Sequence, residues 1–181
     1  MVRTGLLAAL LCMVPNAFAH KIRVDFDHGA NFGSYKTYCV ERSADAGSPL
    51  PTFPNPLVMN RVGVLIEEAL GARGLKRATG SQDLHVTYRI DVREQPSYFT
   101  YTDGWGPGWV WGYSPAWPVA FSTTSVQMDY QGTLVVDIID AKRNKLVFEG
   151  TSTQMVSSRP EKNNKKLAKA VAEVFAKYPP R

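Results

Sequence analysis

The chain is poor in the residues that usually announce a chemistry. Among 181 residues there are only two cysteines and three histidines, and the formal charge is a modest +5. Cys12 falls inside an N-terminal leader, so Cys39 is the single thiol of the expected mature chain. One thiol excludes an internal disulfide framework and any zinc site that needs two thiolates. The small, scattered positive surplus gives no footprint for nucleic acid. No apolar run outside the leader is long enough to cross a bilayer as a helix. No HExxH pattern occurs, and no pair of carboxylates is singled out by its spacing.

The leader itself is legible. Met1, Val2 and Arg3 form a short positive start, residues 5–14 are apolar, and Ala17-Phe18-Ala19 is a small-x-small cleavage site. This is the pattern of a secretory signal peptide over residues 1–19. Cleavage after Ala19 would leave 162 residues and a charge of +4, enough for one domain (residues 20–181) with a real core. A lipid anchor at Cys12 is the weaker reading, because Leu11 before it is not small. The expected location is the periplasm or the exterior, with outer-membrane association as a variant.

Along the mature chain, Ile22, Val24 and Phe26 alternate with polar neighbours and predict a half-buried strand. Residues 35–40 are β-rich. Asn55-Pro56 opens a helix, with asparagine suited to the N-cap and proline to the first helical position. Residues 84–92 alternate again, residues 127–151 read as a hairpin turning at 141–144, and residues 163–178 read as a closing helix. The order implies an α+β fold: a two-layer domain with a mostly antiparallel sheet of about five strands, two helices on one face, and a Trp/Gly-rich inter-strand loop.

That loop, expected as an insertion over residues 95–126, is the unusual segment. Nine of the chain's twenty aromatic residues lie between Tyr98 and Phe121, including all four tryptophans, with Gly104, Gly106, Gly108 and Gly112 interleaved. Between Glu94 and Asp129 the only charge is Asp103. Such a segment can fold inward as a second small core. It can also display its rings to a membrane surface, an envelope protein or an apolar ligand, since tryptophan and tyrosine combine an apolar body with a polar tip. Tyr101, Trp105, Trp109, Trp111, Tyr113 and Trp117 are the candidate binding residues.

Gly104-Trp105-Gly106-Pro107-Gly108 is a poor phosphate loop, because Pro107 removes an N–H donor and no helix follows. Gly112-Tyr113-Ser114-Pro115-Ala116 lacks the last glycine of a nucleophile elbow. No catalytic residues, no cofactor and no enzymatic activity are expected. The rival reading is a secreted copper-binding protein or metalloenzyme: cleavage after Ala19 would make His20 the amino terminus, able to chelate copper through its amine and ring, with His28 or His85 completing the site. Arg23, Asp25 and Asp27 on one strand, and His85, Arg89 and Asp91 on another, are expected to form cross-strand ion pairs if those strands are neighbours. Lys162, Lys165, Lys166 and Lys169 make a basic helix face, either simply solvated or turned to anionic lipid.

Several stretches together resemble a bacterial envelope family, the domain of unknown function 4136. Val24-Asp25-Phe26-Asp27 followed by Phe32-Gly33-Ser34-Tyr35-Lys36-Thr37-Tyr38 resembles its opening. Asp83-Leu84-His85-Val86-Thr87-Tyr88 is similar to its central strand, and residues 132–140 with 145–150 to its closing hairpin. The resemblance covers nearly all of the mature chain. It implies a periplasmic or outer-membrane-associated α+β domain, often a lipoprotein, and brings no catalytic residues. The chain departs from that pattern at the lipidation site.

Overall fold

In the computed structural model, residues 21–43, 48–50, 53–103 and 121–179 are described. Asn55 starts the first helix as expected: its side-chain oxygen accepts a hydrogen bond from the Val58 N–H at 2.9 Å, and Pro56 takes the first helical position of α1 (Pro56–Gly71). Val58, Met59, Val62, Ile66 and Leu70 recur every three or four residues and are buried as one stripe. The second helix, α2 (Pro160–Phe175), buries Leu167, Ala170, Val171, Val174 and Phe175 in the same way. It starts three residues earlier than the apolar pattern suggests, at Pro160, and ends at Phe175.

The strands are β1 (Lys21–Phe26), β2 (Thr37–Arg42), β3 (Lys76–Arg77), β4 (Leu84–Asp103), β5 (Phe121–Asp140) and β6 (Lys145–Met155). They form one sheet in the order β1-β6-β5-β4-β2-β3. Two expectations are corrected here. There are six strands rather than about five, the extra one being the two-residue β3, too short to show any alternation. The sheet is also mixed: β1, β6, β5 and β4 pair antiparallel, whereas β2 runs parallel to both β3 and β4. The parallel step follows from the connection, since β2 reaches β4 across α1, and a crossover through a helix returns the chain in the same sense.

Both helices lie on the sheet face that carries Val86, Tyr88 and Ile90 of β4. Gly63 of α1 stands against the Tyr88 ring, and Tyr88 donates its hydroxyl hydrogen bond to the Met59 carbonyl at 3.0 Å. Across the sheet, Tyr88 pairs with Val136 and Val136 with Gly150, and Gly150 stands against Val174 of α2. The end of α2 is tied to α1 by Arg73, whose guanidinium donates to the carbonyls of Ala69, Phe175 and Tyr178. Tyr178 is buried beside Phe148 and Phe32, and that burial pushes its hydroxyl up to about 12.

The opposite sheet face is polar. Arg89 bonds Asp137 on β5 at 3.0 Å and Asp91 on its own strand at 3.3 Å. The expected pairing between the polar faces of β1 and β4 does not occur, because β6 and β5 stand between them. Asp27 pairs instead with Lys145 at 2.7 Å.

Candidate docking ribbon

β4 and β5 are each 20 residues long and stay in register from Leu84 opposite Asp140 to Asp103 opposite Phe121. Their outer neighbours are much shorter. β2 accompanies β4 only as far as Tyr88, and β6 accompanies β5 only from Gln131. Residues 94–103 and 121–130 therefore leave the sheet as a two-stranded ribbon with no further strand beside it among the described residues, Tyr130 at its root still accepting from the Val156 N–H at 2.7 Å. Of the insertion expected over residues 95–126, 95–103 and 121–126 are strand, and residues 104–120 lie outside the described residues.

The phase of the ladder explains how Pro96 is tolerated in a strand. Ser43 donates its N–H to the Tyr88 carbonyl at 3.0 Å, so even-numbered residues of β4 direct their amides toward β2 and away from β5. Pro96 shares that phase, and its ring occupies an open edge rather than a rung. On the helix side the ribbon presents Tyr98, Val126 and Met128; on the reverse it presents Phe99 and Tyr101. All five are between 50% and 74% exposed. Asp129 at the root accepts from Ser97 at 2.6 Å and from the Gln127 amide at 3.3 Å. Thr100 and Thr124 hydrogen-bond across the ladder at 3.3 Å.

Of the candidate binding residues, the structure places Tyr101 on β4, exposed; Trp105, Trp109, Trp111, Tyr113 and Trp117 lie outside the described residues. Tyr98 and Phe99 belong to the aromatic segment singled out in the sequence but not to the candidate binding set, and nothing in the sequence singles out Val126 and Met128. The alternation of Tyr98 with Phe99 across two faces was available, but the glycines and prolines just downstream read as loop.

The histidines are not gathered. His28 packs on the Phe26 ring at 4.5 Å, and His85 bonds Glu41 at 3.1 Å. His28 lies in the turn after β1 and His85 on β4, strands three spacings or about 14 Å apart, too far to share an ion. A copper site would need His20, which lies outside the described residues, with one of them. Among the described residues no three His, Cys, Asp or Glu side chains are grouped to hold a metal. Cys39 is half-buried on the polar face, and its sulfur meets Glu41 at 3.9 Å. Of the four lysines on α2, Lys166 donates to the Met155 carbonyl at 2.7 Å and Lys169 pairs with Glu173 at 3.7 Å; Lys162 and Lys165 are exposed.

A polar hollow lies at the other end of the sheet, around Tyr35, Asp83, Asp140, Lys142 and Arg143. Its groups are mutually satisfied. Asp83 accepts from Lys142 at 2.9 Å, from the N–H groups of Lys36 and Thr37 at 3.0 and 3.1 Å, and from the Thr37 hydroxyl at 3.1 Å. Tyr35 donates to Asp140 at 3.0 Å. The Lys142 ammonium, and after it the Lys36 amide, hold the Asp83 carboxyl well below the usual carboxylate range. This cluster fastens the start of β2 to the β5–β6 turn. Asp83→Asn is expected to lower stability by about 1–3 kcal/mol at pH 7. The folded carboxyl stays ionised where the unfolded one, near pH 4, takes up a proton. Its contribution is therefore present above about pH 4 and fades as the pH falls further. Urea midpoints should separate wild type and variant more at pH 7 than at pH 3; equal separation would refute the assignment.

The described residues thus define an α+β domain on a mixed six-stranded sheet, from which an aromatic ribbon projects. The chain belongs to the family described as domain of unknown function DUF4136, whose model matches residues 22–180. None of the curated proteins matches it. It is similar to a DUF4136 family protein from Bacteroides thetaiotaomicron (TM-score 0.54, 16% identity, 88% of this chain and 96% of that one). It is also similar to a PDZ domain protein from Parabacteroides distasonis (TM-score 0.52, 16% identity, 88% of this chain), of which it spans only 35%. A PelC dodecamer from Paraburkholderia phytofirmans gives a TM-score of 0.48 at 11% identity, over 87% of this chain and 96% of that one.

Proposed function

We propose that this is an exported, non-enzymatic protein of the cell envelope that uses the ribbon, together with the Trp/Gly-rich sequence between its two strands, to dock on a membrane surface. The observation that carries the reading is the two-sided display of large apolar side chains on a two-stranded ribbon that holds no lysine or arginine. An isolated hairpin is marginally stable in water. A flat protein partner would cover Tyr98, Val126 and Met128 on one side and leave Phe99 and Tyr101 wet. Immersion in the interfacial layer covers both sides at once and suits tyrosine and tryptophan. The signal-like leader supports export. No helix among the described residues is long and apolar enough to cross a membrane, so attachment at a surface fits better than a helical span.

The test is co-sedimentation of the mature chain with phosphatidylethanolamine/phosphatidylglycerol vesicles, read alongside tryptophan emission. Binding and a blue shift are expected. The triple variant Tyr98→Ser, Phe99→Ser, Tyr101→Ser should weaken partitioning at least about tenfold, with little change in thermal midpoint because these side chains are at least half exposed. Absence of both signals in the wild type, or an unaffected triple variant, would overturn the membrane reading. Retention by a proteinaceous envelope fraction but not by pure lipid would transfer the ribbon to a protein partner.

A further inference from the structure

A second site lies where the ribbon leaves the sheet. The N-terminal turns of α1 and α2 and the root of β5 enclose an open groove of about 770 Å³, within the size range of small-molecule sites. Leu50, Phe53, Val58, Met128, Tyr130 and Val156 give it an apolar wall. Leu57, 73% exposed, and Met128 stand with unburied apolar surface on its border.

Its lining carries one cation, Arg61, and one carboxylate, Asp129. Arg61 borders the groove and, among the described residues, no carboxylate stands within ion-pairing distance of it. The one carboxylate on the lining, Asp129, is already held by Ser97 and Gln127. Asn163 is likewise occupied, exchanging hydrogen bonds of 2.8 Å with the N–H and carbonyl of Ser157. Both helices begin here, so both positive dipole ends add to Arg61, and α2 has no side-chain cap on its first amides.

We propose that this groove binds a single-chain anionic amphiphile, a long-chain fatty carboxylate, with its chain along the apolar wall and its head at Arg61. An apolar chain alone would make no use of the exposed Arg61 cation, and a small anion alone would leave the wall wet. The two requirements together define the ligand. The site is separate from the surface of the ribbon that carries Phe99 and Tyr101, so the two readings can fail independently.

The experiment is calorimetric titration of the mature chain with laurate, dodecanol, dodecyltrimethylammonium and acetate, below their aggregation concentrations. One laurate per chain is expected, with dodecanol about tenfold weaker and no measurable binding of the cationic chain or of acetate. Shortening the carboxylate should weaken binding up to about fourfold per methylene removed. Arg61→Gln should weaken laurate about tenfold and leave dodecanol unchanged, and Met128→Asp should abolish both at an unchanged thermal midpoint. The Tyr98/Phe99/Tyr101 triple variant should still bind laurate. Equal binding of the cationic and anionic chains, an unaffected Arg61→Gln variant, or no laurate binding would each overturn the proposal.

Discussion

Replacing Phe148 with alanine is expected to lower the unfolding free energy by about 3–5 kcal/mol, measured by urea denaturation. Phe148 is fully buried at the middle of β6, opposite Phe26 on one side and Ile138 on the other. Its ring meets Tyr178 edge-on at 5.1 Å. Tyr178 in turn meets Phe175 at 6.1 Å and Phe32 at 5.7 Å, so the ring of Phe148 props up the chain segment that follows α2. Truncation leaves a cavity that rigid β-strands on both sides cannot collapse around. A domain of this size has only about 5–15 kcal/mol in hand. A change below about 1 kcal/mol would show that the aromatic cluster is not the keystone of the core.

At Gly150, two residues further along β6, the expected effect has the opposite origin, overfilling. A Cβ added there would stand 2.3 Å from a Val174 methyl and 3.2 Å from the Phe148 ring. Val174 is fully buried on α2 and too short to swing aside. Gly150→Ala is therefore expected to be destabilising by about 1–3 kcal/mol, and Gly150→Leu to prevent folding at physiological temperature. The cause can be separated from simple loss of glycine flexibility. Val174→Ala should be less harmful in the Gly150→Ala background than in the wild type, with a coupling of about 0.5–3 kcal/mol. Strict additivity would mean that α2 does not approach the sheet this closely.

The elements were more legible than their arrangement. Asn55-Pro56 marked the start of α1 through chemistry that acts within three residues, and the alternation at 22–26 and 84–92 marked strands locally. Strand order had no such signal. That β1 lies beside β6, and β2 beside β4, depends on pairings between residues more than 40 positions apart. The partner of Arg89 was missed for the same reason, since Asp137 is brought to it only by the β4–β5 register. Glycine and proline within residues 95–126 argue against regular structure on average, so that part of the ribbon reads as loop, whereas residues 127–130 read as strand. Pro96 is harmless only by virtue of its phase in the ladder, which composition does not reveal. The laurate groove had no motif at all: Phe53, Arg61, Met128 and Val156 come from four stretches of chain and meet only in the folded domain.

The ribbon also sets a distance. Ten residues of extended chain beyond the last shared rung of the sheet span roughly 30 Å. That is about three to four Debye lengths at physiological salt. If the ribbon docks as proposed, its described end lies outside the electrostatic reach of the lysines and arginines on the body, and selection there would fall to shape and to apolar and aromatic contact. In that proposed role the globular part would stay in the aqueous layer, its positive surface left to a different set of neighbours, while the far end meets the membrane.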